Sequence, residues 1–429
     1  MDKVSGYGLS RERFGLLFAI MLVAAAGNTA MQSLMPAIGR ELKIPDLWVA
    51  LGFSLSAIAW VVAAPHWGRM SDRRGRRALM RLGLYGFIVS MLICGVVLAA
   101  GLAGLMAPML VFFIFMLGRT VYGIWGSASP PAVQAYVAAR TEGEERTSAL
   151  AVIASSFGLG TVIGPALAPL FIFHPLGLSG PLVVFALIGL LVLGAVITRL
   201  PDDTPKNEAG SAPADYPWIG GSAGTGAARM GEPTAAPPLR WRDPRVLPWH
   251  LIGVIGGHGQ AALLGVIGFL VIDRLALPPS ESQQWIALVL IVGALATLLG
   301  QWWLIPQLKL SPRALVIWGC IAAGVGTMLA GMAQGVYGLT MAYAVAALGY
   351  GLFRPGFSSG ASLSVKLEEQ NVVAGMITSV NGIAYVAGPA VGVALYAIAI
   401  PLPFFTVGGL MLGLALWVSL RFHPSGPAG

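Results

Sequence analysis

Long runs without a charged side chain constrain this chain more than any other feature. Residues 47–68 hold no Asp, Glu, Lys or Arg, and neither do residues 82–118. Only 10% of the 429 residues are charged, and 56% are hydrophobic, whereas soluble domains are about 25% charged. Because so few charges cannot cover a soluble protein of this size, the runs predict helices that cross a lipid bilayer.

The uncharged runs divide into twelve predicted spans if Arg119 and Arg354 are allowed to lie within helices, since a crossing needs about 20 apolar residues and the longest runs break at Gly and Pro. The spans cover residues 14–38, 47–69, 79–101, 107–138, 147–172, 180–199, 247–272, 283–306, 313–333, 336–365, 372–398 and 401–421. This predicts an all-α integral membrane protein with three parts. Residues 1–199 and 247–429 form two six-helix bundles, and residues 200–246, rich in Pro, Gly, Ala and Ser, form a disordered linker.

The distribution of basic residues predicts the orientation of the chain. The N-terminus, the even-numbered loops and the C-terminus hold 21 of the 26 Lys and Arg residues, and the odd-numbered loops hold three. By the positive-inside rule both termini are cytoplasmic, in a cell inner or plasma membrane. The same clustering accounts for the net charge of +8 without a nucleic-acid partner.

An internal repeat relates the fifth and eleventh spans. Four residues of one span recur in the other at a constant offset of 224 positions: Ser155, Gly158, Gly164 and Pro165 match Ser379, Gly382, Gly388 and Pro389. A weaker repeat links Leu117-Gly118 with Leu348-Gly349. Duplicated six-helix halves are a transporter architecture with substrate bound at the midplane, so the repeat predicts two pseudo-symmetric bundles.

A dense charged motif joins spans 2 and 3, in which six arginines lie between positions 69 and 81. The residues Gly68, Asp72, Gly75, Arg76 and Arg77 resemble the first motif of the major facilitator superfamily, in its twelve-span drug/proton antiporter branch. The resemblance implies a cytoplasmic gate. In it, Asp72 faces the N-terminus of span 11 and Arg76 pairs with Glu142 or Glu144. A plain positive-inside loop is the alternative.

A second motif, Arg119, Gly123 and Gly126, lies in span 4. A charged side chain at mid-depth costs at least about 3 kcal/mol, so Arg119 must face a wet cavity or a partner. Regular helical spacing would place Tyr122, Gly126 and Ser129 on the same face. The resemblance implicates this arginine in proton coupling; a structural arginine capped by backbone carbonyls is the alternative.

A third motif in span 5 resembles the exporter signature of the family. It consists of Gly160, Gly164 and Pro165, but Ala168-Pro169 replaces the glycine pair that usually follows. Small residues allow two helices to approach closely, and proline bends a helix. In the family this bend helps to seal the outer side. The signature favours export but is incomplete, so import or uniport of a small metabolite stays open.

Polar residues at helical spacing are the candidate substrate or coupling residues. They are Asn28, Gln32, Arg119, Tyr122, His258, Tyr350, Arg354, Asn381 and Tyr385. Hydrogen bonding between helices is the alternative role for the uncharged ones. No Asp or Glu lies within the interior of a span, so the two arginines make a cavity electropositive. Such a cavity favours a neutral or anionic substrate, such as an amphiphilic drug, a carboxylated metabolite or a siderophore.

The expected function is therefore proton-coupled efflux by alternating access, without a cofactor or bound metal. His258 is the mid-depth group whose reference pKa suits proton coupling. A neutral, hydrogen-bonded histidine is the alternative role, and Asp72 or Asp273 could carry the proton instead. The five histidines lack metal-ligand spacing, so an enzyme is not expected. A monomer suffices, and a non-transporting sensor or scaffold is the remaining alternative.

Overall fold

The computed structural model describes residues 9–141, 143–201, 240–366 and 369–422. Most of the predicted linker at 200–246, and Glu142 of the predicted gate, lie outside these ranges. The chain divides into two compact units, Met1–Ala223 and Gly224–Gly429. Each unit is built from long helices that follow one another along the chain.

The first unit contains six helical segments among its described residues. They are α1 Arg11–Glu41, α2 Asp46–Arg74, α3 Arg76–Leu102, α4 Pro108–Ala138, α5 Gly143–Leu167 and α6 Gly180–Arg199. A π-helical turn, Tyr122–Gly126, interrupts α4, and a short 3-10 helix, Ala168–Phe171, follows α5.

The second unit repeats this arrangement with six segments in its described residues. They are α7 Leu247–Leu275, α8 Pro279–Leu308, α9 Pro312–Met332, α10 Val336–Leu363, α11 Gln370–Ile398 and α12 Leu402–Leu420. A π-helical turn, Gly300–Leu304, interrupts α8.

Eleven of the helices in the described residues are long and apolar enough to cross a membrane. The exception is α5, whose described apolar segment, Gly158–Phe171, is shorter. The prediction of an all-α membrane fold from twelve helices is confirmed.

The connection between α2 and α3 is far shorter than the sequence predicted. Helix α2 continues through the charged motif to Arg74, and α3 begins at Arg76, so Gly75 alone joins them. Gly75 has φ +85°, a backbone conformation that side chains other than glycine rarely adopt. The predicted loop is therefore two helix ends and one turn residue, because charged side chains end a membrane crossing without ending a helix.

Small residues of the repeat bring the same helices together in each unit. In the first unit, a Cβ at Gly164 of α5 would overlap the Ala26 carbonyl oxygen of α1. In the second, a Cβ at Gly388 of α11 would lie 2.6 Å from Ala261 Cβ of α7. The weaker repeat behaves alike, because Gly118 packs α4 on α3 and Gly349 packs α10 on α9. The residues that recur in sequence thus make equivalent helix contacts.

Candidate substrate and gating sites

Arg119 is buried in the first unit, with 1% of its surface exposed. Its Nη2 donates a hydrogen bond of 2.9 Å to Asn28 Oδ1 on α1. Its guanidinium carbon lies 5.1 Å from the ring centres of both Phe53 on α2 and Tyr122 on α4. Aromatic faces stabilise a desolvated cation by about 2 kcal/mol. The structure thus brings three predicted residues, Asn28, Arg119 and Tyr122, into one cluster.

The acceptor found for the Arg119 side chain is a side-chain amide rather than a backbone carbonyl. Its Nε and Nη1 are buried without a hydrogen-bond partner among the described residues. Because buried polar groups are nearly always paired, the N–H groups of these two nitrogens are donors available to a water molecule or another ligand. The aromatic rings restrict access to them, so the predicted direct contact with substrate stays a prediction.

Two hydrogen bonds from α2 stabilise Arg119 and the π-helical turn that follows it. Ser56 Oγ donates a hydrogen bond of 2.9 Å to the Arg119 carbonyl, and Trp67 Nε1 donates one of 2.5 Å to the Ile124 carbonyl. A Cβ at Gly123 would overlap the Ser56 carbonyl oxygen. The glycine predicted as part of the motif therefore allows α2 and α4 to touch. Sequence reasoning missed the contribution of α2, although Ser56, Trp60 and Trp67 recur at near-helical spacing.

The π-helical turn also changes the direction in which the C-terminal part of α4 faces. One extra residue in a turn rotates all later residues by about 100° around the helix axis. Ser129 Oγ donates a hydrogen bond of 3.1 Å to the Met80 carbonyl on α3, whereas Arg119 faces α1 and α2. The prediction that Arg119 and Ser129 lie on one helix face is therefore wrong, because it assumed an uninterrupted α-helix.

Arg354 and Tyr350 lie one turn apart on α10 and have different surroundings. Arg354 is half-buried, and its Nη1 has no hydrogen-bond partner among the described residues. Tyr350 is buried, and a Cβ at Gly259 of α7 would lie 3.1 Å from its hydroxyl. Tyr350 thus packs within the second unit against α7. Of Arg119 and Arg354, Arg354 is the more accessible.

His258 lies at mid-length in α7, and its Nδ1 is 2.8 Å from the Val254 carbonyl oxygen. This contact favours the tautomer that carries its proton on Nδ1. The other predicted residues vary in exposure: Tyr385 is buried, whereas Gln32 and Asn381 are half-buried. The alternative of a hydrogen-bonded histidine therefore has structural support, and a role for His258 in proton coupling stays a prediction.

The predicted gate is only partly described. The surroundings of Gly68 and the side chains of Asp72 and Glu144 are not described, so their predicted contacts stay predictions. Arg77 is described: its Nη2 donates a hydrogen bond to the Ile197 carbonyl at the end of α6. A cation beside the last carbonyls of a helix is favourable because the helix dipole is negative there. Arg76 is half-buried at the start of α3.

An ionic cluster that the sequence did not predict joins the start of α7 to the start of α11. Arg245 donates hydrogen bonds of 2.8 and 2.9 Å to the two carboxylate oxygens of Glu369. It also donates bonds of 3.1 and 2.9 Å to the carboxylate of Asp243. These bonds from Arg245 hold the pKa of Glu369 and of Asp243 below their usual values. A bidentate arginine between two acids fixes both helix starts in one geometry.

Replacing Glu369 with glutamine should lower the free energy of unfolding at neutral pH by about 1–2 kcal/mol. Because the folded-state pKa is depressed, this stabilisation is present above the unfolded pKa of 4.5 and is lost as pH falls through the folded value. Thermal unfolding in detergent at pH 7 and pH 4 measures the difference. Glu281→Gln, at an exposed acid in the first turn of α8, is the control. An equal effect at both pH values would contradict this assignment.

Known proteins are similar to this chain over most of its length. A family model for the Major Facilitator Superfamily matches residues 17–304. Multidrug resistance protein 2 of Bacillus subtilis is 24% identical over 414 residues, which are 94% of each chain. The class G tetracycline resistance protein of Vibrio anguillarum is 26% identical over 403 residues, covering 90% of this chain and 91% of that protein.

Solved structures share the fold. The crystal structure of the human organic anion transporter MFSD10 aligns with a TM-score of 0.63 and 19% identity, covering 95% of this chain and all of that chain. Among the described residues, no group of three or more His, Cys, Asp or Glu side chains could hold a metal ion. With its helices, its repeat and a family match over more than half of its length, this chain belongs to the major facilitator superfamily of membrane transporters.

Proposed function

We propose that this transporter exports a small amphiphilic compound that is neutral or anionic, in exchange for protons. Two six-helix halves alternate between states open to either side, and both termini are cytoplasmic. The substrate can bias such an equilibrium only by binding the two states with different affinity. The names of the relatives, a multidrug resistance protein and a tetracycline resistance protein, support export of a drug-like compound.

The main observation behind this proposal is an imbalance of charge inside the membrane-spanning helices. Arg119 and Arg354 lie within α4 and α10, and no Asp or Glu lies in the interior of any helix that crosses the membrane. Buried N–H donors remain on both arginines without a partner among the described residues. In a poorly screened medium two like charges raise the cost of admitting a cation and lower the cost of an anion.

The two arginines have separate roles in this proposal. Arg354 is half-buried and has a donor without a partner among the described residues, so it contacts the anionic or polar group of the substrate. Arg119 is enclosed by two aromatic rings and Asn28, so it holds α1, α2 and α4 together. His258 carries the coupling proton on Nε2, because Nδ1 bonds the Val254 carbonyl.

Everted membrane vesicles test this function directly. A pH gradient with the acidic side inside the vesicles should drive uptake of anionic carboxyfluorescein but not of cationic ethidium. Arg354→Gln should reduce uptake of the anion by about tenfold, which corresponds to one lost charged contact of about 1.4 kcal/mol. His258→Gln should remove the response to the pH gradient while leaving counterflow of the substrate intact.

Three results would contradict the proposal in different ways. Ethidium uptake by both wild type and Arg354→Gln, without carboxyfluorescein uptake, would overturn the substrate class. Undiminished pH-driven uptake by His258→Gln would remove this histidine as the proton carrier. Transport in the opposite direction would favour the importer alternative, for which the altered exporter signature at Ala168-Pro169 is the supporting observation.

A further inference from the structure

Aromatic contacts bring the start of α7 and the end of α12 together in the second unit. Phe422, which follows α12, packs edge-on against Trp249 of α7 with ring centres 4.7 Å apart. It also stacks on Trp417 of α12 at 6.0 Å. Arg313 of α9 donates a hydrogen bond of 2.7 Å to the Ser419 carbonyl. The end of α12 is therefore held firmly beside the first turn of α7.

His250 lies in the first turn of α7, near Trp249, and its side chain is buried. It is 3% exposed, and neither ring nitrogen has a hydrogen-bond partner among the described residues. Trp241 packs against the imidazole with ring centres 5.3 Å apart, and this tryptophan is 48% exposed. An unpaired buried polar group costs about 1–3 kcal/mol. A polar group from outside the described residues, approaching along Trp241, would remove this cost.

Three exposed arginines lie near the first turn of α7. Arg240 and Arg242 flank Trp241, and Arg421 precedes Phe422; all three arginines are exposed. Their side chains form no ion pair with another described residue. The two acids beside this turn, Asp243 and Glu369, are both bound by Arg245. The local excess of positive charge therefore remains available to an anion.

We propose that this corner binds the phosphate headgroup of an anionic membrane lipid. We call it the basic corner and define it by Arg240, Trp241, Arg242, His250 and Arg421. Guanidinium groups bind phosphate in bidentate geometry, and an imidazole N–H or an indole N–H can donate to the remaining oxygens. Each basic residue close to an anionic membrane surface contributes about 1 kcal/mol of attraction.

Apolar surface beside the corner identifies the anion as a lipid rather than free phosphate. The last turns of α12 expose Leu416 by 59% and Leu420 by 65%, and Trp417 is 41% exposed. These side chains lie where acyl chains would run below a headgroup held at the corner. Tryptophan at such a level is typical of the membrane interface, where its ring contacts both lipid and polar groups.

Lipid binding to the purified full-length protein tests the proposal. Phosphatidylglycerol, added to the protein in neutral detergent, should raise its thermal stability and give bound-lipid peaks in native mass spectrometry. Phosphatidylcholine and inorganic phosphate should give neither effect. The triple variant Arg240→Gln, Arg242→Gln, Arg421→Gln should bind phosphatidylglycerol about tenfold more weakly or worse. A control that removes three exposed cations elsewhere, Arg11→Gln, Lys43→Gln, Arg74→Gln, should bind it like the wild type.

His250→Phe separates a built site from general attraction between charges. It keeps an aromatic ring under Trp241 but removes both unpaired nitrogens, so stability without lipid should be unchanged or higher. The gain from phosphatidylglycerol should fall severalfold. Equal losses in the two triple variants would overturn the proposal in favour of diffuse attraction. An equal response to inorganic phosphate would show a site for free anions. Neither readout depends on transport, so this test is independent of the proposed function.

Discussion

Alanine in place of Gly164 should reduce transport more than tenfold at equal amounts of protein in the membrane. A Cβ at this position would overlap the Ala26 carbonyl oxygen and Thr29 Oγ1 of α1, and would lie 2.9 Å from the Ala30 nitrogen. Two of these atoms belong to the backbone, so only a separation of α1 and α5 relieves the overlap. Overpacking of this kind costs about 1–3 kcal/mol, and here it acts on the helix pair that the exporter motif joins.

Gly158→Ala is the matched control for Gly164→Ala. It lies in the same helix, and a Cβ there would meet no atom within 4 Å. We therefore expect transport and thermal stability close to those of the wild type. Uptake in everted vesicles, normalised to the amount of protein, measures the first, and thermal unfolding in detergent measures the second. Equal transport by Gly164→Ala and Gly158→Ala would show that the α1–α5 contact tolerates the added methyl group.

Leucine in place of Asn28 should destabilise the protein by about 3 kcal/mol and abolish transport. The change removes the hydrogen-bond acceptor that Arg119 Nη2 uses, and Nε and Nη1 already lack a described partner. A buried guanidinium would then retain only its two aromatic contacts. The thermal unfolding midpoint and the amount of folded protein in the membrane measure the loss.

A double variant separates the stability effect from the transport effect. Removing both partners of a buried polar pair costs far less than removing one. Asn28→Leu with Arg119→Met should therefore recover most of the stability without recovering transport. Asn28→Asp, which keeps an acceptor oxygen, should fold like the wild type. If Asn28→Leu alone were as stable as the wild type, the hydrogen bond to Arg119 would contribute nothing to the fold.

The fold was predictable because lipid imposes a simple rule on composition. Charged residues mark where the chain leaves the membrane, and the 224-residue offset between Gly164 and Gly388 marks the duplication. Both signals depend on residue type alone. The end of α2 was not predictable from them, because Arg73 and Arg74 continue a helix as readily as they end a membrane crossing.

The candidate site was less predictable because its geometry depends on contacts between distant residues. Arg119 and Asn28 were each identifiable as polar residues in apolar runs, but the enclosing Phe53 has no distinguishing sequence signal. Arg245 and Glu369 are 124 positions apart, and nothing local in either segment indicates a pair. The π-helical turn after Arg119 interrupts the regular period assumed for α4, so that period gave the wrong direction for Ser129.

The two π-helical turns occupy positions that the duplication does not match. One lies in α4 and the other in α8, whereas the corresponding helices, α10 and α2, are continuous α-helices. A π-helical turn is a local departure from regular hydrogen bonding at which a helix bends more readily. The two units have therefore diverged in local stiffness, because a bend is easier in α4 than in α10 and easier in α8 than in α2.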